Sequence, residues 1–191
     1  MTPKNDRAHH RLGIALGEKG DHDGAIIEYR EALRLNPKNE NAHLLLGLEL
    51  EEKGDWDGAM AEARDVLRLN PNNDLAHADL GAALREKGDL DGAIAECREA
   101  VRLNPYSSGR HLDLGSALEK KGDLDGAVVE YREALRLNPN NELAHSYLDS
   151  ALKRTGKPRV LVELWWAGGV FKPEKQPNPT AEMTAFAQSC P

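Results

Sequence analysis

Residues 74–105 read DLAHADLGAALREKGDLDGAIAECREAVRLNP, and the same text recurs with edits at a fixed step of 34 residues. The Asn-Pro pair falls at Asn36-Pro37, Asn70-Pro71, Asn104-Pro105 and Asn138-Pro139. The Leu-Gly pair falls at Leu12-Gly13, Leu46-Gly47, Leu80-Gly81 and Leu114-Gly115. Lys-Gly-Asp begins at Lys19, Lys53, Lys87 and Lys121. A period of this length marks units that cannot bury an apolar face alone and must stack to make a core.

Two helical patterns lie inside each unit. From Asp74 to Lys87, Leu75, Ala78 and Ala82 recur at three and four, with Ala76, Leu80, Ala83 and Leu84 offset beside them. That is the spacing of a helix with a broad apolar face. Asn73 stands before it as an N-cap whose side-chain oxygen accepts from a free backbone N–H. Asn5, Asn39, Ser107 and Asn141 occupy the matching positions. Gly88 predicts a left-handed helix end, and Gly20, Gly54, Gly122 and Gly156 match it. Asp89 caps a second helix carrying Ala93, Ile94, Cys97, Ala100, Val101 and Leu103. Asn104-Pro105 stops that helix, because proline disfavours helical geometry in the residue before it.

These features together resemble the tetratricopeptide repeat. The period of 34 fits, as do the Leu-Gly pair, the small residue at Ala25, Ala59, Ala93 and Ala127, the second-helix aromatic at Tyr29 and Tyr131, and the closing proline. The resemblance implies an all-α, right-handed solenoid of helix-turn-helix repeats. Its first helices would line a concave groove that holds an extended peptide or a partner helix. There are departures. Histidine fills an early first-helix column, at His9, His43, His77, His111 and His145, where the family often has an aromatic. The second-helix aromatic becomes Ala63 and Cys97 in the middle repeats. Glycine stands at Gly24, Gly58, Gly92 and Gly126, early in each second helix, where the family has an acidic residue. Mid-helix glycine costs about 1 kcal/mol against alanine, so these positions read as tolerated local weakness. They follow no strand and make no phosphate loop.

The sequence predicts an array over residues 4–156, with four full repeats and a fifth first helix. A degenerate capping helix is expected over 157–169 and an irregular tail over 170–191. Within 158–167, PRVLVELWWA, Pro158 suits a first helical turn and Trp165 falls in the column of Tyr29 and Tyr131. A strand is the rival reading, since Val160, Val162, Trp165 and Trp166 favour extended structure. Trp165, Trp166, Phe171 and Phe186 lie beyond the repeats, a density unlike that of a disordered linker. Two roles stand open. Residues 158–167 close the exposed end of the array, or VFKPEK at 170–175 reaches the groove of a neighbouring molecule.

The net charge is −7, with 25 basic residues interleaved among 32 acidic ones. That argues against a phosphate-tracking surface for nucleic acid. No apolar run approaches the roughly 18 residues that span a bilayer. MTPKNDRAHH has no signal-peptide core. Two cysteines, Cys97 and Cys190, do not make a disulfide framework. The expectation is a soluble, cytoplasmic protein that is not an enzyme and holds no cofactor or metal. No Ser, His and Asp set has recognisable spacing, and Cys97 reads as a small buried hydrophobe. The histidines sit one repeat apart, while packed helices lie about 8–10 Å apart and zinc ligands must reach within about 2.0–2.2 Å of one ion. Inter-helix packing is the reading for that column.

By resemblance, the groove faces Arg7, His10, Arg11 and Ile14, then Asn41, Leu44, Leu45 and Leu48. It continues with Leu75, Ala78, Asp79 and Ala82, then Gly109, Leu112, Asp113 and Ser116. This makes an apolar centre with two carboxylates in one row and a basic first repeat. An exposed apolar strip of that extent marks a binding site; leucines packed between helices are the competing reading. Chaperone-binding relatives clamp a terminal carboxylate with Lys, Asn and Arg. Here those places hold His10, Ile14, Leu45, Leu75 and Asp79, or one repeat on, Leu44, Leu48, Asp79, Gly109 and Asp113. Neither register suits an anion. The function implied is a scaffold that binds a peptide or helix, apolar with basic flanks. The alternative is a self-associating structural protein that assembles through its C-terminal tail.

Overall fold

The structure, a computed structural model, describes residues 5–156. These residues hold nine helices and no strand: α1 (Asp6–Gly17), α2 (His22–Leu35), α3 (Glu40–Glu52), α4 (Trp56–Leu69), α5 (Asp74–Lys87), α6 (Leu90–Leu103), α7 (Ser108–Lys121), α8 (Leu124–Leu137) and α9 (Glu142–Thr155). The expected capping segment and tail, with Trp165, Trp166 and VFKPEK, lie outside the described residues.

The helix ends follow from local chemistry. Asn5, Asn39, Asn73 and Asn141 accept from the amides of Ala8, Ala42, Ala76 and Ala144 at 3.0–3.2 Å. Ser107, the matching residue of α7, makes no side-chain cap bond. Asp21, Asp55, Asp89 and Asp123 cap the second helices by accepting from Gly24, Gly58, Gly92 and Gly126. Those glycines therefore have a role beyond weakness. A Cβ at Gly24 would stand 2.5 Å from Asp21 Oδ2, so glycine leaves the capping carboxylate its place. Gly20, Gly54, Gly88, Gly122 and Gly156 all have positive φ. Gly88, Gly122 and Gly156 cap α5, α7 and α9 directly, whereas α1 and α3 close earlier, with caps at Glu18 and Lys53.

The core runs along the stack in columns. Ala25, Ala59, Ala93 and Ala127 are buried, as are Leu46, Leu80, Leu114 and Leu148. Leu12 belongs to the same leucine column but is 48% exposed, since no described helix precedes α1. Helices α3, α5 and α7 each pack on the second helix of their own repeat and on that of the repeat before, while α1 packs on α2 and α9 on α8. First helices of successive repeats also touch, from α1–α3 to α7–α9, whereas no pair of second helices makes a comparable contact. The stack therefore curves with its first helices inside, and their outer turns form the groove face.

The histidine column is part of this packing. Nδ1 of His9, His43, His77 and His111 lies 2.6–2.7 Å from Glu28, Glu62, Glu96 and Glu130 on the following helix. Nε2 of His43, His77, His111 and His145 lies 2.9–3.1 Å from the carbonyl of Pro37, Pro71, Pro105 and Pro139. Each ring bonded in this second way is fastened to the loop that enters its repeat.

Candidate functional site

One apolar recess of about 330 Å³ opens on the first-helix face, lined by His10 of α1, by Asn41, Leu44, Leu45 and Leu48 of α3, and by Leu75 and Asp79 of α5. Leu48 is 46% and Leu75 47% exposed. Large aliphatic side chains so open to water leave their transfer free energy, about 1.5–3 kcal/mol each when fully buried, available to whatever covers them. Leu44 and Leu45 are half-buried, and Leu45 and Ile14 also pack on the core between α2 and α5.

The remaining groove positions divide. Arg7 lines a separate polar recess with Asp6, Asn36, Lys38, Asn39, Glu40 and Asn41. Arg11 and Gly109 are exposed, Ala82 and Leu112 are half-buried, and Ala78 is buried at 3%. Asp113 is held by Arg110 at 3.2 Å, and Ser116 accepts from Arg85 at 2.9 Å. The two carboxylates of the expected acidic row therefore differ: Asp79 borders the apolar recess and Asp113 sits inside a salt bridge.

Three contributors escaped the sequence reading: Glu51, Arg85 and Arg110. Arg110 stands where Ala8, Ala42, Ala76 and Ala144 stand in the other repeats, and that break in a small-residue column was the available signal. It reaches back across the repeat boundary to Asp74 at 3.0 Å as well as to Asp113. Glu51 lies among the same charges. Burial, then the neighbouring Asp79 charge, pushes its carboxyl up to about 7. Burial likewise raises Asp79 to about 6, against the nearby Arg110 and with Asp113 reinforcing it. Asp113 is raised by burial too. Among the described residues, Glu51 Oε1 and His10 Nε2 are buried without a hydrogen-bond partner.

Two other chemistries fit less well. His43, Glu62 and Asp65 bring ligand-type atoms within 4.8 Å of one another. The His43 Nδ1 is in contact with Glu62 at 2.6 Å, Nε2 is turned to Pro37, and Asp65 is paired with Arg68. These atoms are already engaged in a hydrogen-bonded set. Cys97 is buried, and burial pushes its thiol up to about 12, so the thiolate is scarce.

A stack of two-helix units with an open groove on its first helices is the architecture of a helical-repeat interaction scaffold. The sequence matches the family described as "Tetratricopeptide repeat" over residues 1–40, 10–74 and 44–108, and "TPR repeat" over 115–156. The chain belongs to the tetratricopeptide repeat family. Members bind protein or peptide partners and are typically non-enzymatic. A crystal structure of MamA is 26% identical, with TM-score 0.66, covering 76% of this chain and 85% of that one. TTC0263, a thermophilic TPR protein of Thermus thermophilus, is 24% identical, with TM-score 0.70, covering 80% and 84%. YrrB, described as a TPR protein with an unusual peptide-binding site, is 19% identical, with TM-score 0.63, covering 84% and 82%. No curated protein matches the sequence. No helix among the described residues is long and apolar enough to cross a membrane.

Proposed function

We propose that this chain is a cytoplasmic, non-catalytic scaffold whose groove takes a peptide or helical segment, apolar with basic flanks, from another protein. The observation that carries this reading is the recess between α1, α3 and α5, with Leu48 and Leu75 open to water and Asp79 at its edge. An aliphatic side chain of the ligand fills the recess. A cationic neighbour meets Asp79. The repeat family and the peptide-binding description of YrrB support a peptide as the ligand class.

Selection from a displayed random-peptide library on the immobilised full chain tests this. Enrichment of aliphatic sequences with adjacent Lys or Arg is expected, lost on the L48D/L75D variant. Enriched sequences without basic residues, or equal capture by the variant, refute the assignment. Light scattering over a concentration series covers the alternative, because a mass that rises with concentration indicates self-assembly, and loss of that rise on truncation after Gly169 would assign it to the tail.

A further inference from the structure

Three rings of the histidine column face more acceptors than a neutral imidazole can serve. His43 has Glu62 at 2.6 Å on Nδ1 and the Pro37 carbonyl at 3.1 Å on Nε2. His77 has Glu96 at 2.7 Å and the Pro71 carbonyl at 3.1 Å. His111 has Glu130 at 2.7 Å and the Pro105 carbonyl at 3.1 Å. Carboxylates and carbonyls only accept. A neutral ring carries one N–H, an imidazolium two. The separations on Nδ1 are those of a charge-assisted bond.

We propose that His43, His77 and His111 are proton-dependent latches. Each imidazolium ties the loop entering its repeat to the second helix of that repeat, and the stack loosens as the rings lose their protons. The latch spans three elements. For His43 they are the α2–α3 loop, α3 itself and α4. Opening it frees the loop that sets how one repeat sits on the next, so the array, and with it the groove between first helices, becomes more deformable.

The charged groups facing each ring favour this. Glu62 and Asp65 face His43 from α4. Glu96 and Glu99 face His77 from α6. Glu130 and Glu133 face His111 from α8. Asp65, Glu99 and Glu133 are also paired with Arg68, Arg102 and Arg136. Those arginines offset part of the negative charge, while Glu62, Glu96 and Glu130 touch the rings directly. Burial works the other way, since His43 and His111 are each 7% exposed. For His43 the bond to Glu62 outweighs burial and raises its pKa above the ordinary histidine value. A group raised in the folded state contributes stability that is complete below its unfolded pKa and is lost as pH rises through the folded one. For the His43 latch the direction is therefore tighter in acid and looser in base. Among the described residues, His9 bonds Glu28 and His145 bonds the Pro139 carbonyl.

The test uses the full chain and the H43Q/H77Q/H111Q variant. Imidazole nitrogen NMR and thermal melts are recorded between about pH 5.5 and about pH 8.5, bracketing the ordinary histidine range. Three imidazolium rings at the acid end are expected, with a wild-type melting temperature that falls with pH more steeply than the variant's. Glu51 and Asp79 titrate in the same sense in both proteins, so the difference between slopes isolates the latches. Neutral tautomers in all three rings at about pH 5.5, or equal slopes, overturn the proposal. Should the triple variant not fold, H43Q alone carries the slope comparison, and the wild-type ring signals decide independently.

Discussion

In repeat two the groove positions hold Leu44, Leu45 and Leu48; in repeat four the same positions hold Leu112, Asp113 and Ser116. The leucines leave an apolar recess open to water, whereas Asp113 and Ser116 are tied to Arg110 and Arg85. The two repeats differ underneath as well. Repeat two has Ala63 in the tyrosine column, and a Cβ added at Gly47 would meet nothing closer than 3.7 Å. Gly115 lies under Tyr131, whose ring would be 2.5 Å from the same atom. Tyr131 also bonds Glu119 at 2.8 Å and packs on Tyr147 with ring centroids 5.5 Å apart. One repeat is roomy behind an apolar floor; the other is filled behind a charge network. Stacking demands only that certain columns stay small or apolar, so the columns facing the groove vary without cost to the array.

The sharpest way to break this comparison is to make one substitution in both repeats. Gly115→Ala forces Tyr131 out of its place, and overpacking of this kind costs about 1–3 kcal/mol. Gly47→Ala has room and replaces a mid-helix glycine, so it stabilises by about 0.5–1 kcal/mol. Urea denaturation of the two variants should move in opposite directions; the same sign in both would show that the repeats are packed alike.

Arg110→Ala dismantles the charge network of repeat four and leaves Asp74 and Asp113 without their arginine. Their side chains are 27% and 36% exposed, so water partly compensates and the loss is roughly 1–2 kcal/mol. The aliphatic lining of the recess is untouched, so selection for aliphatic residues by the variant should follow that of the wild type. A changed peptide preference would mean that the two halves act as one site.

Glu51 sharpens the comparison through pH, because it feels the charges of both Asp79 and Asp113. Its carboxyl, at about 7, is raised in the folded state. The protonated form is thus favoured by folding, and stability falls as pH rises from the ordinary carboxyl range through about 7. Glu51→Gln removes this loss. It should stabilise the chain by on the order of 1 kcal/mol at high pH, after allowance for solvent screening, and by little near about pH 4. A melting difference that does not depend on pH would sink the assignment.

The smallest effect belongs to Ser107, the one N-cap of its column without a side-chain bond. Ser107→Asn restores the residue of the other repeats and should stabilise α7 by roughly 0.5 kcal/mol. Hydrogen exchange at the first turn of α7 reads this locally, and unchanged protection would place the cause of the missing bond outside residue 107.

The sequence by itself determined the array. Caps, terminating glycines, proline stops and the 34-residue step are short-range signals, each acting within a turn or two of its own residue, and repetition multiplied them. Asn73 and Gly88 could be read without knowing what lies across the groove. The residues that line the recess on α1, α3 and α5 could be placed on one face by resemblance to the repeat family, since repeat geometry converts a position in the period into a face. Tertiary structure decided everything that depends on a partner in another element. The His43 ring bonds a glutamate 19 residues away and a carbonyl six residues back, and neither follows from helical spacing. Asp79 and Asp113 occupy one column, yet an arginine substituted into an alanine column forms an ion pair with only the second. Gly47 and Gly115 share one motif, and the side chain packed across from each sets whether a methyl group is welcome. Local propensity depends on neighbours along the chain, whereas charge state and free volume depend on atoms brought together in space.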